Sequence, residues 1–376
     1  MCSSDLTDAL TAAAMSGEPE ERMHAMLALA AIGEPAAAAA DELAAALESP
    51  DTAVRSAAAF ALGRMRGAGA DAALEKAGND ADPFLAGIAS WARARIHPDD
   101  KDLVSKSFAI LSKALDGDRP NTKIAALTAL SDLTGSLDDA DESALAGRFV
   151  ALLEDQHPGV RGAAASGLAR LGPTAVGALE KALANPAVRG IALELLAAAG
   201  SNAKPAVDAL VASLADADPA VRGDAALALG AVGVDAAEAV PALATMIEKA
   251  AKDDPTRYAA VYALGRIGPA AKASATMLRS FVSGGDDPML ATVAAWALLK
   301  IEPDNKEQIP TAVPLLRKAL RSENDNVRLQ AIVALGELGA AADSAVAMLE
   351  LMSEDDPLPS LRKAAAAAAA KIKAAR

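Results

Sequence analysis

Residues 218–230 read Asp218-Pro219-Ala220-Val221-Arg222-Gly223-Asp224-Ala225-Ala226-Leu227-Ala228-Leu229-Gly230, and looser copies of this phrase run along the whole chain. With the arginine as register, the copies stand at Arg22, Arg55, Ala86, Lys123, Arg161, Arg189, Arg222, Arg257, Ala291, Arg328 and Arg362, a mean spacing of 34 residues. Three residues after the register stands alanine in all eleven copies, from Ala25 to Ala365. Seven after it stands leucine in nine copies, the exceptions being Arg93 and Ala369. Columns this strict identify a structural repeat.

Small and apolar residues at offsets +3, +6, +7 and +10 share one face at 3.6 residues per turn, so each copy contains an amphipathic helix, here helix B. Proline stands three before the register in eight copies (Pro19, Pro83, Pro120, Pro158, Pro186, Pro219, Pro288 and Pro359), where a helix starts and an amide would be unpaired anyway. Asp or Asn just before it can cap that end. A second apolar helix, helix A, precedes each turn, as over Pro173 to Ala184, Pro205 to Ala215, Pro241 to Lys249 and Pro269 to Phe281. Glycine pairs such as Gly230/Gly233, Gly265/Gly268 and Gly336/Gly339 are expected to close helix B and turn the chain. One hairpin cannot bury its apolar face alone, so the copies must stack, with alanine at +3 permitting close approach.

The phrase D-P-x-V-R-x-x-A-x-x-A-L-G-x-[IV]-G resembles the HEAT repeat, in the short form of phycobilisome-lyase-type HEAT-like proteins, and the resemblance covers Glu18 to Ile372. It implies an all-α fold, a right-handed α-solenoid (armadillo-type superhelix) of about eleven hairpins, with residues 1–376 as one domain. Copies three and nine depart from it by lacking the register arginine. The third also carries Arg93 at a normally buried position, and Pro98 to Pro120 is long enough for an extended helix A. In HEAT-like repeats the register arginine pairs with turn aspartates of neighbouring copies. By that resemblance Arg22, Arg55, Arg161, Arg189, Arg222, Arg257, Arg328 and Arg362 form a structural ladder, with Asp51, Asp218 and Asp287 suitably placed.

Composition agrees with close-packed helices: 52% of residues are apolar but only nine are aromatic, which disfavours a large sheet. A formal charge of −14 argues against a broad nucleic-acid or anionic-membrane footprint. No uninterrupted apolar run reaches the roughly 18 residues of a membrane span, and a soluble, cytoplasmic protein is expected. One cysteine excludes internal disulfides and thiolate metal clusters. Residues 1–6 (Met1-Cys2-Ser3-Ser4-Asp5-Leu6) read as a translated sequencing adapter, since TGC TCT TCC GAT CT encodes Cys-Ser-Ser-Asp-Leu, so the native start is expected to be missing and export is left open. The alternative is a lipoprotein acylated at Cys2.

No enzyme signature is present: the chain has no G-x-S-x-G, no phosphate-binding G-x-x-x-x-G-K-[ST] and no G-x-G-x-x-G. His24, His97 and His157 lie in different copies and make no zinc face. Asp253-Asp254, Asp286-Asp287 and the run Asp138, Asp139, Asp141, Glu142 precede helix starts and read as caps, since a D-x-D-x-D-G calcium loop is missing. No metal or cofactor is expected.

The informative positions are those the repeat does not dictate. Offsets +1, +2, +5 and +9 of helix B are expected to line an open, concave surface. Position +5 holds both tryptophans and four of the nine aromatics, each with a cation four residues on: Phe60/Arg64, Trp91/Arg95, Tyr262/Arg266 and Trp296/Lys300. Such pairs share a helical face and allow cation–π contact. With Tyr258 at +1 they form two candidate patches for a protein or extended peptide, expected to be an acidic or amphipathic segment. The competing reading is that the rings cover small side chains of adjacent B helices. A non-catalytic interaction scaffold is the leading function. A bilin-lyase or chaperone subunit follows only from the shared repeat, and a HEAT-like DNA-binding glycosylase is disfavoured by the charge.

Overall fold

The structure, a computed structural model, describes residues 3–252, 254–284 and 287–376, with no side-chain detail for Ser3 and Ser4. Cys2, Asp253 and Asp286 lie outside the described residues, so acylation at Cys2 and capping by those two aspartates are not addressed. All regular elements among the described residues are helical. The chain divides into two compact units, Met1–Ala178 and Leu179–Arg376, and each is a stack of helical hairpins, as an α-solenoid requires.

Helix B recurs as Pro19–Ile32, Thr52–Met65, Pro83–Ile96, Pro120–Asp132 and Pro158–Leu171 in the first unit. In the second it recurs as Arg189–Ala199, Pro219–Val232, Thr256–Ile267, Pro288–Ile301, Asp325–Leu338 and Pro359–Ala374. Proline occupies the first turn in seven of the eight expected places. Pro186 instead precedes the short helix Arg189–Ala199, whose start is delayed by a turn. The alanine column is the seam of the stack: all eleven +3 alanines are buried, nine of them completely. A methyl there lets successive B helices approach closely while contributing buried apolar area at about 25 cal/mol per Å².

Helix A is less regular than expected. Among the described residues eight of the A segments open as 3-10 turns, as at Gly172–Ala175, Gly200–Ala206, Gly233–Ala239 and Gly268–Ser274, before continuing as α-helix. Of each glycine pair only the second turns the chain: Gly233, Gly268 and Gly339 have φ of 74°, 75° and 55°. Gly230, Gly265 and Gly336 lie inside helix B and leave room for the next copy. At the same turn position the second copy has Arg66, which adopts φ 52° without glycine's freedom. The stretch after Pro98 contains the expected extended A helix, Lys101–Ala114. Two helical stretches, Pro219–Lys249 and Asp325–Asp355, are long and apolar enough to cross a membrane, with mean hydropathy 1.5 and 1.6. Each folds back at Gly233 or Gly339 into a B–A hairpin, so neither is a single rod.

The register arginines serve the stack in a way that corrects the expected partners. Arg55 donates from Nη1 to the carbonyls of Ser49 (2.9 Å) and Pro50 (3.2 Å), and Arg222 to those of Asp216 and Ala217 (both 3.0 Å). Arg161, Arg328 and Arg362 repeat this pattern, Arg189 and Arg257 each reach one such carbonyl, and Arg22 reaches Ala14. Each thus covers orphan carbonyls where the preceding A segment ends. Ion pairs to the following copy run to Asp80 from Arg55 (3.6 Å), Asp254 from Arg222 (3.1 Å) and Asp356 from Arg328 (3.1 Å), with Arg189 on Asp216. Asp51, Asp218 and Asp287 are not their partners: each accepts amide hydrogen bonds at the start of its own helix B. Arg93, at the position normally held by leucine, turns to Asp71 (3.0 Å) and Glu75 (3.3 Å) on its own A helix and so avoids an unpaired buried charge.

Candidate functional site

In the Met1–Ala178 unit the ridge of helix B begins with a ring stack. Trp91 lies on Phe60 of the preceding copy, with ring centroids 5.3 Å apart and 15° between planes. The indole fills a notch above Gly63, where an added Cβ would come 2.3 Å from Trp91 Cζ3. Trp91 is completely buried and Phe60 half-buried. The Leu179–Arg376 unit repeats the device: Trp296 stacks on Tyr262 at 5.0 Å and 11°, over Gly265, whose Cβ would lie 2.4 Å from Trp296 Cζ3. Trp296 is 3% exposed. The expectation that both indoles stand open to a partner is therefore corrected. They bridge consecutive B helices, and burial of this much ring area makes them packing residues. Neither indole N–H finds an acceptor.

The cations at +9 also part company with the simple ring-pair expectation. Arg95 does sit over Trp91, its guanidinium carbon 5.7 Å from the ring centroid, and its Nε donates to the Gly63 carbonyl at 2.9 Å. The guanidinium of Arg64 goes instead to Asp132, 2.7 Å away, where Arg95 (3.2 Å) and Arg170 (2.6 Å) also converge. Arg64, Arg95, Asp132 and Arg170 are the +9 residues of four successive copies, so one carboxylate ties the second to the fifth B helix. The side chain of Asp132 is 0% exposed beneath them. Burial holds Arg95 below the usual guanidinium range, and the positive charges of Arg66, Arg64 and Arg170 act in the same direction against the opposing pull of Asp132.

In the other unit the equivalent ridge stays open. The ninth B helix, Pro288–Ile301, and the tenth, Asp325–Leu338, scarcely touch, because the A helix Ile309–Ala319 is wedged against both. A groove of about 480 Å³ opens there. Leu227, Tyr258, Tyr262, Val293 and Val327 line it, the edge of Trp296 and Leu316 reach it, and the polar groups of Asn324, Asn326 and Gln330 border it. The Tyr258 hydroxyl donates to the Asp287 carboxylate at 2.7 Å, and this bond together with burial pushes the phenol up to about 12. Lys300 pairs with Glu337, the one +9 contact that bridges the gap among the described residues. Arg266, exposed one turn beyond Tyr262, has no ion-pair partner among the described residues.

The structure thus gathers Tyr258, Tyr262 and Trp296 of the second patch at one groove, while Arg266 and Lys300, four residues beyond Tyr262 and Trp296, are not part of its lining. It gathers Phe60, Arg64, Trp91 and Arg95 of the first patch into a closed seam. Asp132 and Arg170 went unassigned in the sequence, although the alternation Arg95, Asp132, Arg170 down one column was the visible signal. Among the histidines, His157 accepts from the Gly159 amide (3.2 Å) as a cap, His97 Nε2 meets Asp71 at 3.0 Å, and His24 is exposed.

The family described as HEAT repeats matches residues 4–94, 145–230, 178–253, 207–299 and 287–371. No curated protein matches the chain. Among solved structures, a chain from the structure of Kap95p binding to RanGDP is similar over 98% of this chain and 56% of its own length, at 15% identity and a TM-score of 0.60. The karyopherin Kap121p bound to the SUMO protease Ulp1p is similar over 99% of this chain and 45% of its own, at 14% identity and 0.57. Importin beta is similar over 98% and 58%, at 15% and 0.54. This chain therefore spans about half the length of these karyopherin structures, and at such identity the likeness establishes fold.

Proposed function

Since the chain belongs to the HEAT-repeat family, we propose that it is a non-catalytic interaction scaffold whose Leu179–Arg376 unit grips an amphipathic, acidic protein segment on its B-helix face. The observation that carries this reading is the groove between the ninth and tenth B helices, apolar along its length and edged by amides. Leu227 is 43% exposed at one end of it, an apolar surface that a partner would cover. Arg266, without an ion-pair partner among the described residues, supplies the attraction for acidic side chains. Kap95p acts on RanGDP and Kap121p binds Ulp1p, so proteins of similar fold use stacked helical hairpins to hold protein partners. The phycobilisome-lyase subtype and the DNA-binding alternative rest on the shared repeat alone and draw no support from the groove.

The test is capture of partner protein from source lysate by the full chain and by a variant carrying Leu227→Asp and Val293→Asp. Both sites are at least partly exposed, so the melting temperature should move little while the retained partner is lost. Retention of the same proteins by the variant would overturn the reading.

A further inference from the structure

The arginine seam of the Met1–Ala178 unit carries more positive charge than its own carboxylate balances. Arg64, Arg95 and Arg170 meet Asp132 at 2.7, 3.2 and 2.6 Å, which leaves two positive charges in excess at one point of a chain whose net charge is −14. We infer that these three guanidiniums form a binding site for a dianionic phosphoryl group, independently of the groove in the other unit.

Three features support it. First, donors remain: a guanidinium offers five N–H groups, and the bonds just named, with that of Arg95 to the Gly63 carbonyl, use only a few of them. Second, the ligand has access, since the side chains of Arg64 and Arg170 are 29% and 50% exposed whereas Asp132 is 0% exposed. The carboxylate therefore lies underneath, positioning the forks, and an incoming anion meets only their outer N–H groups. Third, the charge matches. Arg66 adds to the positive field even though it pairs with Glu34 at 3.2 Å. A carboxylate ligand would cancel half of the excess of two charges. A phosphate monoester, dianionic above its second pKa of about 6, would cancel all of it, with oxygens spaced for bidentate arginine bonds.

Isothermal titration of the full chain with inorganic phosphate, with sulfate and with a phosphoserine peptide tests this. All three should bind near pH 7.5. Phosphate and the peptide should weaken toward about pH 5 as they lose their second charge, while sulfate keeps its affinity. Arg170→Gln, at a half-exposed position, should cost about tenfold in affinity, the scale of one charge-assisted hydrogen bond, with an unchanged melting curve. Arg317→Gln, an exposed arginine of the other unit outside the groove lining, should cost nothing. A peptide tighter than free phosphate identifies a phosphorylated protein as the source, and equal affinities identify the free anion; either upholds the site. No binding by any probe, an affinity indifferent to both Arg170→Gln and Arg64→Gln, or an equal loss in Arg317→Gln would overturn it.

Discussion

Phe60 and Trp91 over Gly63 in one unit, and Tyr262 and Trp296 over Gly265 in the other, occupy the same register positions and solve the same packing problem. In both places the tryptophan copy lacks a register arginine, precedes a 37-residue interval and stands away from the next B helix. Beyond the stacked rings the two units diverge. In the first a short aspartate, Asp132, draws three arginines over the gap and is buried by them. In the second the same column position holds Glu337, which is 47% exposed and pairs with Lys300 alone among the described residues, and the gap remains a groove. The repeat dictates stacking. The +9 column decides whether a loosened seam is sealed by charge or left open for a partner.

The sharpest way to break this comparison is to remove the two acids. Asp132→Ala should destabilise the first unit by about 3–5 kcal/mol, because it strands partly buried guanidiniums without their counter-charge. Glu337→Ala should stay within about 1 kcal/mol, as expected for an exposed pair. Urea denaturation of the two variants checks both, and equal losses would mean that the seams are equivalent. A smaller and symmetric effect comes from the shared device: Gly63→Ala and Gly265→Ala should each cost about 1–3 kcal/mol by driving a methyl into an indole, read as matching drops in melting temperature. The smallest effect has the opposite sign. Arg66→Gly should stabilise the first unit by about 1 kcal/mol by relieving φ 52°, and the second unit, already glycine at such turns in Gly200, Gly233, Gly268 and Gly339, offers no equivalent gain.

The stack itself was legible in the sequence, because an alanine column with helical spacing has one physical use and the structure buries every member of it. The depth of the tryptophans was not. An offset assigns a side chain to a face of its helix, but whether it reaches solvent depends on the neighbouring helix, here on the missing Cβ of Gly63 or Gly265 one copy earlier. Glycine at that offset is no sufficient signal, since Gly230 and Gly336 are filled by the close approach of Ala263 and Ala368 instead. The arginine ladder was legible as structure, yet its partners were misplaced by a few residues. Asp51, Asp218 and Asp287 point back to their own amides as caps, and carboxylates such as Asp80 and Asp356, nearer the end of helix A, face the arginines. Helical periodicity carries no information about direction within a turn.

The contrast between sealed and open seams is tested most directly by the two tryptophans, which are the only ones in the chain. In Trp91→Phe only Trp296 emits, and in Trp296→Phe only Trp91. Titration with N-phenylnaphthylamine, a neutral apolar fluorophore that accepts tryptophan emission, should quench Trp296 strongly because the dye lodges in the groove it borders, and should leave Trp91 nearly unaffected. Stronger or equal quenching of Trp91 would contradict the account, as would a Trp296 indifferent to the dye.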